Sequence, residues 1–181
     1  QITSAYAAFV NGGRRIDPYL IEVVQDRYGQ TIHRADQRGC RECSRPFSGQ
    51  ESPRLQDRGE QVLDPITAYQ VSSMLEGVVQ RGTAARVRGL GRWVGGKTGT
   101  TNEYRSAWFV GFTTDIVVGV FIGFDDNRPL GHGETGTTAA VPIFGEFMES
   151  ALKKRPARPF VRPRNAVFRT VNGIEEAFRP G

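Results

Sequence analysis

The sequence predicts an α+β chain in which an antiparallel sheet is flanked by helices. Three features carry this expectation. Asp64-Pro65 opens a stretch with apolar residues at helical spacing. Residues 106–112 and 115–124 are β-branched and aromatic, and only the pair Thr113-Thr114 separates them. So short a link joins antiparallel strands and leaves no room for a parallel crossover. Residues 137–154 then return to helical spacing, with Val141, Phe144, Phe147 or Met148, and Leu152 on one face.

In chain order, Ser4 to Val10 reads as the last turns of a helix, stopped by Asn11-Gly12-Gly13. Residues 19–24 and 30–34 flank a turn at 26–29 and predict a β-hairpin. Residues 35–60 are polar, rich in arginine and without periodicity, which predicts a surface insertion. Asp64 is placed to cap the next helix, with Pro65 at its first position, where a missing N–H costs nothing. Ala68, Val71, Met74 or Leu75, and Val78 or Val79 mark its apolar face, and Arg81-Gly82 ends it. The near-continuous apolar runs at 106–124 predict strands covered on both faces. From Arg155 onward the chain holds four of its prolines and is expected to be extended.

With 181 residues, 38% hydrophobic and 24% charged, the chain is of one-domain size and can pack a core. No apolar run reaches the roughly 18 residues that a membrane span needs. The chain does not begin with Met, and its first ten residues read as the middle of a helix, so it is expected to be part of a longer protein. The net charge is +5, and residues 153–164 hold six basic residues and no acid. No aromatic-interleaved basic face or groove-reading motif accompanies them, so nucleic acid is not expected as a partner. A solvated basic tail near anionic lipid or an anionic wall polymer is the simpler reading.

The stretch GLGRWVGGKTGTTN, residues 89–102, carries two incompatible spellings. Gly91 through Thr98 matches a P-loop letter for letter, and Val120 to Asp125 supplies a hydrophobic strand ending in Asp as its partner. A P-loop, however, needs a buried strand before its first Gly and a helix starting at Lys-Thr. Upstream stands QRGTAARVRGL, which is polar and broken by glycine. Downstream, Gly99, Thr100, Thr101 and Asn102 are poor helix formers in a row.

The other spelling is Lys97-Thr98-Gly99. If 93–101 is a strand preceding the 106–124 pair, alternation puts Lys97 and Gly99 on one face and Thr98 and Thr100 on the other. Such an edge offers a fixed positive charge, hydroxyl donors and, at Gly99, close backbone approach. It suits an extended peptide ending in carboxylate, added as a further strand. A backbone N–H there also suits a tetrahedral oxyanion. The plain alternative makes Lys97 an edge gatekeeper and the threonines mere strand formers.

Residues 96–126, GKTGTTNEYRSAWFVGFTTDIVVGVFIGFDD, closely resemble the transpeptidase domain of class A penicillin-binding proteins, in particular the 1A type. So do TSAYAAFVNGG (3–13), DPITAYQVSSMLEGVVQRGTA (64–84) and ETGTTAAVPIFGEFMESAL (134–152). The resemblance runs from residue 3 to about 163, with the blocks in the family's order. It implies that 1–163 is the C-terminal part of a transpeptidase domain carrying 35–60 as an insertion, with 164–181 an extended tail. It implies a penicilloyl-serine transferase fold, a five-stranded antiparallel sheet with helices on both sides. It further implies acyl transfer through a serine on D-Ala-D-Ala stem peptides of peptidoglycan, trapping by β-lactams, no cofactor, and the periplasmic side of the bacterial inner membrane. Lys97, Thr98 and Thr100 carry over as carboxylate-binding groups, Gly99 as the residue that clears the strand edge, and the Thr100 N–H as half of an oxyanion hole.

The sequence departs from the family at Ser106, where Asp is frequent, at Thr114, where Pro is common, and at Gly136-Thr137, where Gly-Gly is common. The family's Ser-x-x-Lys and Ser-x-Asn motifs precede the segment matching residue 3. The nucleophile, its lysine and the other half of the oxyanion hole are therefore expected outside this chain, and the serines present are read as lacking a lysine three places on. The chain alone is then expected to be inactive and to need the missing half of its domain; the alternative is a catalytically inert structural or interaction fragment of the same fold. A membrane enters only through an upstream anchor.

Cys40 and Cys43 form a CxxC with no second such pair, and only His33 lies near as a further ligand, so a zinc site is disfavoured. No βαβ context supports a thioredoxin-like role. In the compartment the resemblance implies, a local disulfide or two inert thiols fit better than a metal. His132 reads as an exposed loop histidine and Asp125-Asp126 as a strand terminus. Glu134-Thr135-Gly136 recurs in the family near the site without an assignable chemical step.

Overall fold

Asp64 starts the longest helix as its chemistry demands. Its carboxylate accepts from the backbone N–H groups of Ile66 and Thr67, at 3.0 and 3.1 Å. The computed structural model describes residues 1–38, 46 and 59–181. Two units emerge. One joins Gln1–Ile16 to Gln61–Gly181, and the other is Asp17–Glu60.

The larger unit opens with helix α1 (Ile2–Val10), which ends at Asn11 and left-handed Gly12 and Gly13. The smaller unit holds strands β1 (Val23–Gln25) and β2 (Thr31–Arg34). They pair antiparallel with a register shift at Val24/Gln25. This hairpin is shorter than its sequence suggests. Leu20 is fully exposed and Ile21 lies outside the strand, because a two-stranded ribbon offers no packed face to draw them in. Residues 39–45 and 47–58 are outside the described residues. Most of the expected surface insertion, 35–60, and the pairing of Cys40 with Cys43 fall there.

Helix α2 (Pro65–Arg81) buries Ile66, Ala68, Ser72 and Val79. Ser72 replaces an expected apolar contact because its hydroxyl donates to the Phe9 carbonyl at 2.9 Å and so ties α2 to α1. Met74 is largely exposed, which leaves Leu75 as the inward member of that pair. A 3₁₀ turn at Ala85–Leu90 leads to the sheet.

Strands β3 (Gly95–Thr100), β4 (Ser106–Phe112) and β5 (Val117–Gly123) form an antiparallel meander in the order β3-β4-β5. Of the five strands implied for a whole domain, the described residues supply three to that sheet. On one face Phe109, Val118, Val120 and Ile122 meet Val141, Phe144, Met148 and Leu152 of helix α3 (Val141–Leu152). The Phe109 and Phe144 rings pack edge to face, 4.9 Å apart. Helices α1 and α2 cover the other face. The α+β expectation, with helices on both sides of an antiparallel sheet, holds.

Two details differ. The Thr113 N–H donates to the Ile116 carbonyl at 2.9 Å and continues the Phe112–Val117 register, so the two-residue turn is Thr114-Asp115, one residue later than expected. Coverage on both faces is true of β4 only. On β5, Phe121 is more than half exposed, its ring tilted against that of Trp108 at 4.7 Å.

The larger departure is at the C-terminus. The segment 164–181, expected to be an extended tail, is a hairpin of β6 (Val167–Val171) and β7 (Ile174–Phe178). Asn172 and Gly173, both left-handed, make its two-residue turn, an Asn-Gly signal that the sequence carried in plain view. The hairpin is docked, not loose. Gln70 of α2 donates to the Ala177 carbonyl at 2.7 Å, and Tyr69 and Phe168 pack edge to face. The basic stretch before it is anchored too. Phe160 is buried against Phe112, the Thr114 hydroxyl reaches the Arg158 and Pro159 carbonyls, and Arg162 pairs with Glu175.

Candidate active-site edge

Lys97, Thr98, Gly99 and Thr100 lie consecutively on β3, an edge strand among the described residues. The register pairs Lys97 with Val110, Thr98 with Phe109, Gly99 with Trp108 and Thr100 with Ala107. Lys97 and Gly99 therefore share the α1/α2 face, while Thr98 and Thr100 share the α3 face, as alternation predicts.

The next hydrogen bond fixes where the backbone points. Thr101 N–H donates to the Ser106 carbonyl at 3.1 Å, which makes Thr100–Ala107 a non-hydrogen-bonded pair. The N–H and C=O of Thr100, and by the same alternation those of Thr98, therefore project from the open edge instead of toward β4. Lys97 curls onto the same edge, and its Nζ donates to the Thr98 carbonyl at 2.8 Å. The ammonium, though rooted on one face, meets the backbone groups of the residues that carry the hydroxyls.

The hydroxyls are held from behind. Thr98 Oγ1 lies 3.2 Å from Thr83 Oγ1, in the segment after α2. Thr100 Oγ1 accepts from the Gly136 N–H at 3.0 Å. Gly136 begins a π-helical turn (Gly136–Ala140) that runs into α3. Thr135 and Thr138 cap it reciprocally, and Thr138 also donates to Glu134 at 3.1 Å. Gly136 has to be glycine, because a Cβ there would lie 2.4 Å from the Trp108 carbonyl oxygen and 2.9 Å from that of Gly99. Glu134-Thr135-Gly136 thus gains a physical role in supporting Thr100. A Cβ at Gly99 would meet Trp108 Cβ at 3.2 Å, so at this position packing within the sheet also calls for a minimal side chain.

Thr83 was not legible as a site residue, since it falls in no catalytic spelling, and Gly136 was placed near the site by the resemblance alone, without a role. The P-loop reading fails directly, because Lys97-Thr98 lies mid-strand with no helix beginning there. One sequence expectation also needs correction. Ser150 does have a lysine three places on, Lys153, so a Ser-x-x-Lys spelling exists. Ser150 is exposed in the last turn of α3, whose opposite end adjoins the Thr100 support. At about 1.5 Å of rise per residue, some 13 Å of helix separates it from Val141. The pair is a helix-end coincidence, and Ser-x-Asn is absent.

An antiparallel sheet between helices, bearing a Lys-Thr-Gly edge, defines a protein of the penicillin-recognising class. The sequence model of the penicillin-binding protein transpeptidase domain matches residues 1–149, and the chain belongs to that family. It is 41% identical over 95% of its length to penicillin-binding protein 1A of Rickettsia bellii, and 36% identical over 92% to that of Neisseria gonorrhoeae. It spans about a fifth of these relatives, 22% and 19%. Against the crystal structure of penicillin-binding protein 1A from Haemophilus influenzae it aligns over 99% of this chain and 31% of that one, with TM-score 0.80 and 31% identity.

Proposed function

We propose that this chain is the Lys-Thr-Gly wall of a peptidoglycan D,D-transpeptidase. In the reaction, a serine oxygen attacks the penultimate D-alanine carbonyl carbon of a stem peptide. The C–N bond breaks, and D-alanine leaves as an amine after taking up a proton. An amine of a neighbouring stem then attacks the acyl-serine ester, forms the cross-link amide and returns the serine hydroxyl. A β-lactam presents a strained amide to the same serine and stays attached.

The outward projection of the Thr100 and Thr98 backbone along an open edge, with the Lys97 ammonium on that edge, carries this reading. A donor peptide adds there as a further strand. Its terminal carboxylate takes the Lys97 ammonium and the Thr98 and Thr100 hydroxyls, and charge-assisted bonds of this kind are the strong ones. The Thr100 N–H is half of the oxyanion hole, a type of donor worth about 10²–10³ in rate.

The serine, its activating lysine and the second oxyanion donor belong to a part of the domain outside these residues. The site takes no cofactor. In the longer protein it faces the periplasm from the bacterial inner membrane, held by an anchor outside this segment. Among the described residues, no helix is long and apolar enough to cross a membrane. The test is labelling by a fluorescent penicillin. The longer polypeptide carrying Ser-x-x-Lys and Ser-x-Asn ahead of this segment is labelled covalently, and the 181-residue chain alone is not. Labelling of the isolated chain would refute the division of the site.

A further inference from the structure

Just past Thr100 the backbone takes a costly path. Glu103 and Tyr104 are consecutive left-handed residues, φ 59° and 54°, and Asn127 in the facing loop is left-handed at 54°. For non-glycine residues each such conformation costs roughly 1–2 kcal/mol. Asn tolerates it, whereas Glu and Tyr have no side-chain reason to adopt it.

One side chain bridges both loops. The Arg105 guanidinium donates through Nη2 and Nε to Glu103 Oε2, at 2.5 and 3.0 Å, and through Nη1 to the Asn127 carbonyl at 2.7 Å. The backbone completes the bridge where the Leu130 N–H donates to the Tyr104 carbonyl at 2.8 Å. On the β3 side, Thr101 is tied twice to Ser106, by its N–H to the Ser106 carbonyl and by the Ser106 N–H to its hydroxyl at 2.8 Å. Between these loops a 660 Å³ cleft opens directly beside Thr100.

We infer that Arg105 is a positioning residue for acyl transfer. Together with the Leu130–Tyr104 backbone bond it ties the 101–105 turn to the 124–130 loop, and so helps fix the end of β3 from which the Thr100 N–H projects. This inference rests on the transpeptidase reading of the edge. Stability is not its main effect. The Arg105–Glu103 pair is exposed, and such pairs contribute about 0–1 kcal/mol. Its effect lies in selecting one loop geometry, and small displacements of reacting groups are costly in rate.

The test uses the longer polypeptide and compares wild type with Arg105→Ala, Arg105→Lys and Glu103→Gln. Stopped-flow acylation by a penicillin separates initial binding from the acylation step, and a melting curve is taken for each variant. Arg105→Ala should slow the acylation step roughly tenfold with initial binding little changed, because the oxyanion donor acts in the transition state. Its melting temperature should fall by no more than about 4 °C. Arg105→Lys keeps one bond to Asn127 but not the fork to Glu103, and should fall between the two. An unchanged acylation step in Arg105→Ala overturns the inference. So does a loss that merely follows the fraction unfolded. A wild-type protein that penicillin does not acylate overturns the transpeptidase reading itself, and this inference falls with it.

Discussion

The Gly136 N–H donates to the Thr100 hydroxyl at 3.0 Å, across 36 residues of sequence, and joins the start of the π turn to the far end of β3. The contact exists only because residue 136 has no side chain. Its missing Cβ would sit 2.4 Å from the backbone oxygen of Trp108, which cannot swing away as a flexible side chain could. Gly136→Ala should therefore push the π turn off the sheet. The expected cost is about 1–3 kcal/mol in urea unfolding, typical of forced overpacking. A variant as stable as wild type would mean that the turn does not seat on β3 as described.

The C-terminal hairpin makes a second stability prediction. Removing residues 164–181 deletes the Tyr69–Phe168 ring contact and the Gln70 bond to the Ala177 carbonyl. An aromatic pair contributes about 1 kcal/mol beyond its buried area, and a hydrogen bond about 1 kcal/mol. The shortened chain should lose at least about 2 kcal/mol by these two terms. An unchanged denaturation midpoint would show that the hairpin does not support α2.

The fold was legible where one face decides the pattern. Val141, Phe144, Met148 and Leu152 are buried in α3 at the spacing the sequence shows, and Asp64-Pro65 caps α2 through the bonds its chemistry allows. It was illegible where a polar group goes inside or an apolar one stays out. Ser72 is buried because Phe9 supplies a carbonyl for it, and Phe121 is exposed although its strand reads as apolar throughout. The C-terminal hairpin was hidden by the prolines ahead of it, although Asn172-Gly173 signals its turn. At the site, the alternation of Lys97 and Thr98 was legible from strand period alone. Its supports, Thr83, Gly136 and Arg105, come together only by folding, since each acts through a contact distant in sequence or through a backbone conformation that no motif records.

Glu76 gives a pH prediction. Burial against α2's neighbours raises its carboxyl above the usual glutamate range, and Arg81 only partly opposes this. The folded chain therefore holds that proton more tightly than the unfolded one. Stability falls as pH rises from the ordinary carboxyl value, about 4, through the raised one. Glu76→Gln should be slightly more stable than wild type at neutral pH and equal to it below about pH 4. Melting curves across pH check this, and a variant less stable at neutral pH would contradict it.

Because Ser150 lies exposed at the far end of α3, Ser150→Ala in the longer polypeptide should leave the rate of penicillin acylation unchanged. Loss of labelling would restore Ser150-Ala151-Leu152-Lys153 as a nucleophile motif.

If the β3 edge binds the donor carboxylate and presents an oxyanion donor, the second-order rate constant for penicillin acylation of the longer polypeptide must separate wild type from Lys97→Ala. Removing the ammonium leaves the substrate carboxylate without its charged partner, and charge-assisted bonds of this kind contribute about 1.5–3 kcal/mol. The rate constant for Lys97→Ala should be lower by roughly 10- to 100-fold, with folding intact by melting temperature. An unchanged rate constant would mean that Lys97 is no more than an edge gatekeeper and that the carboxylate binds elsewhere.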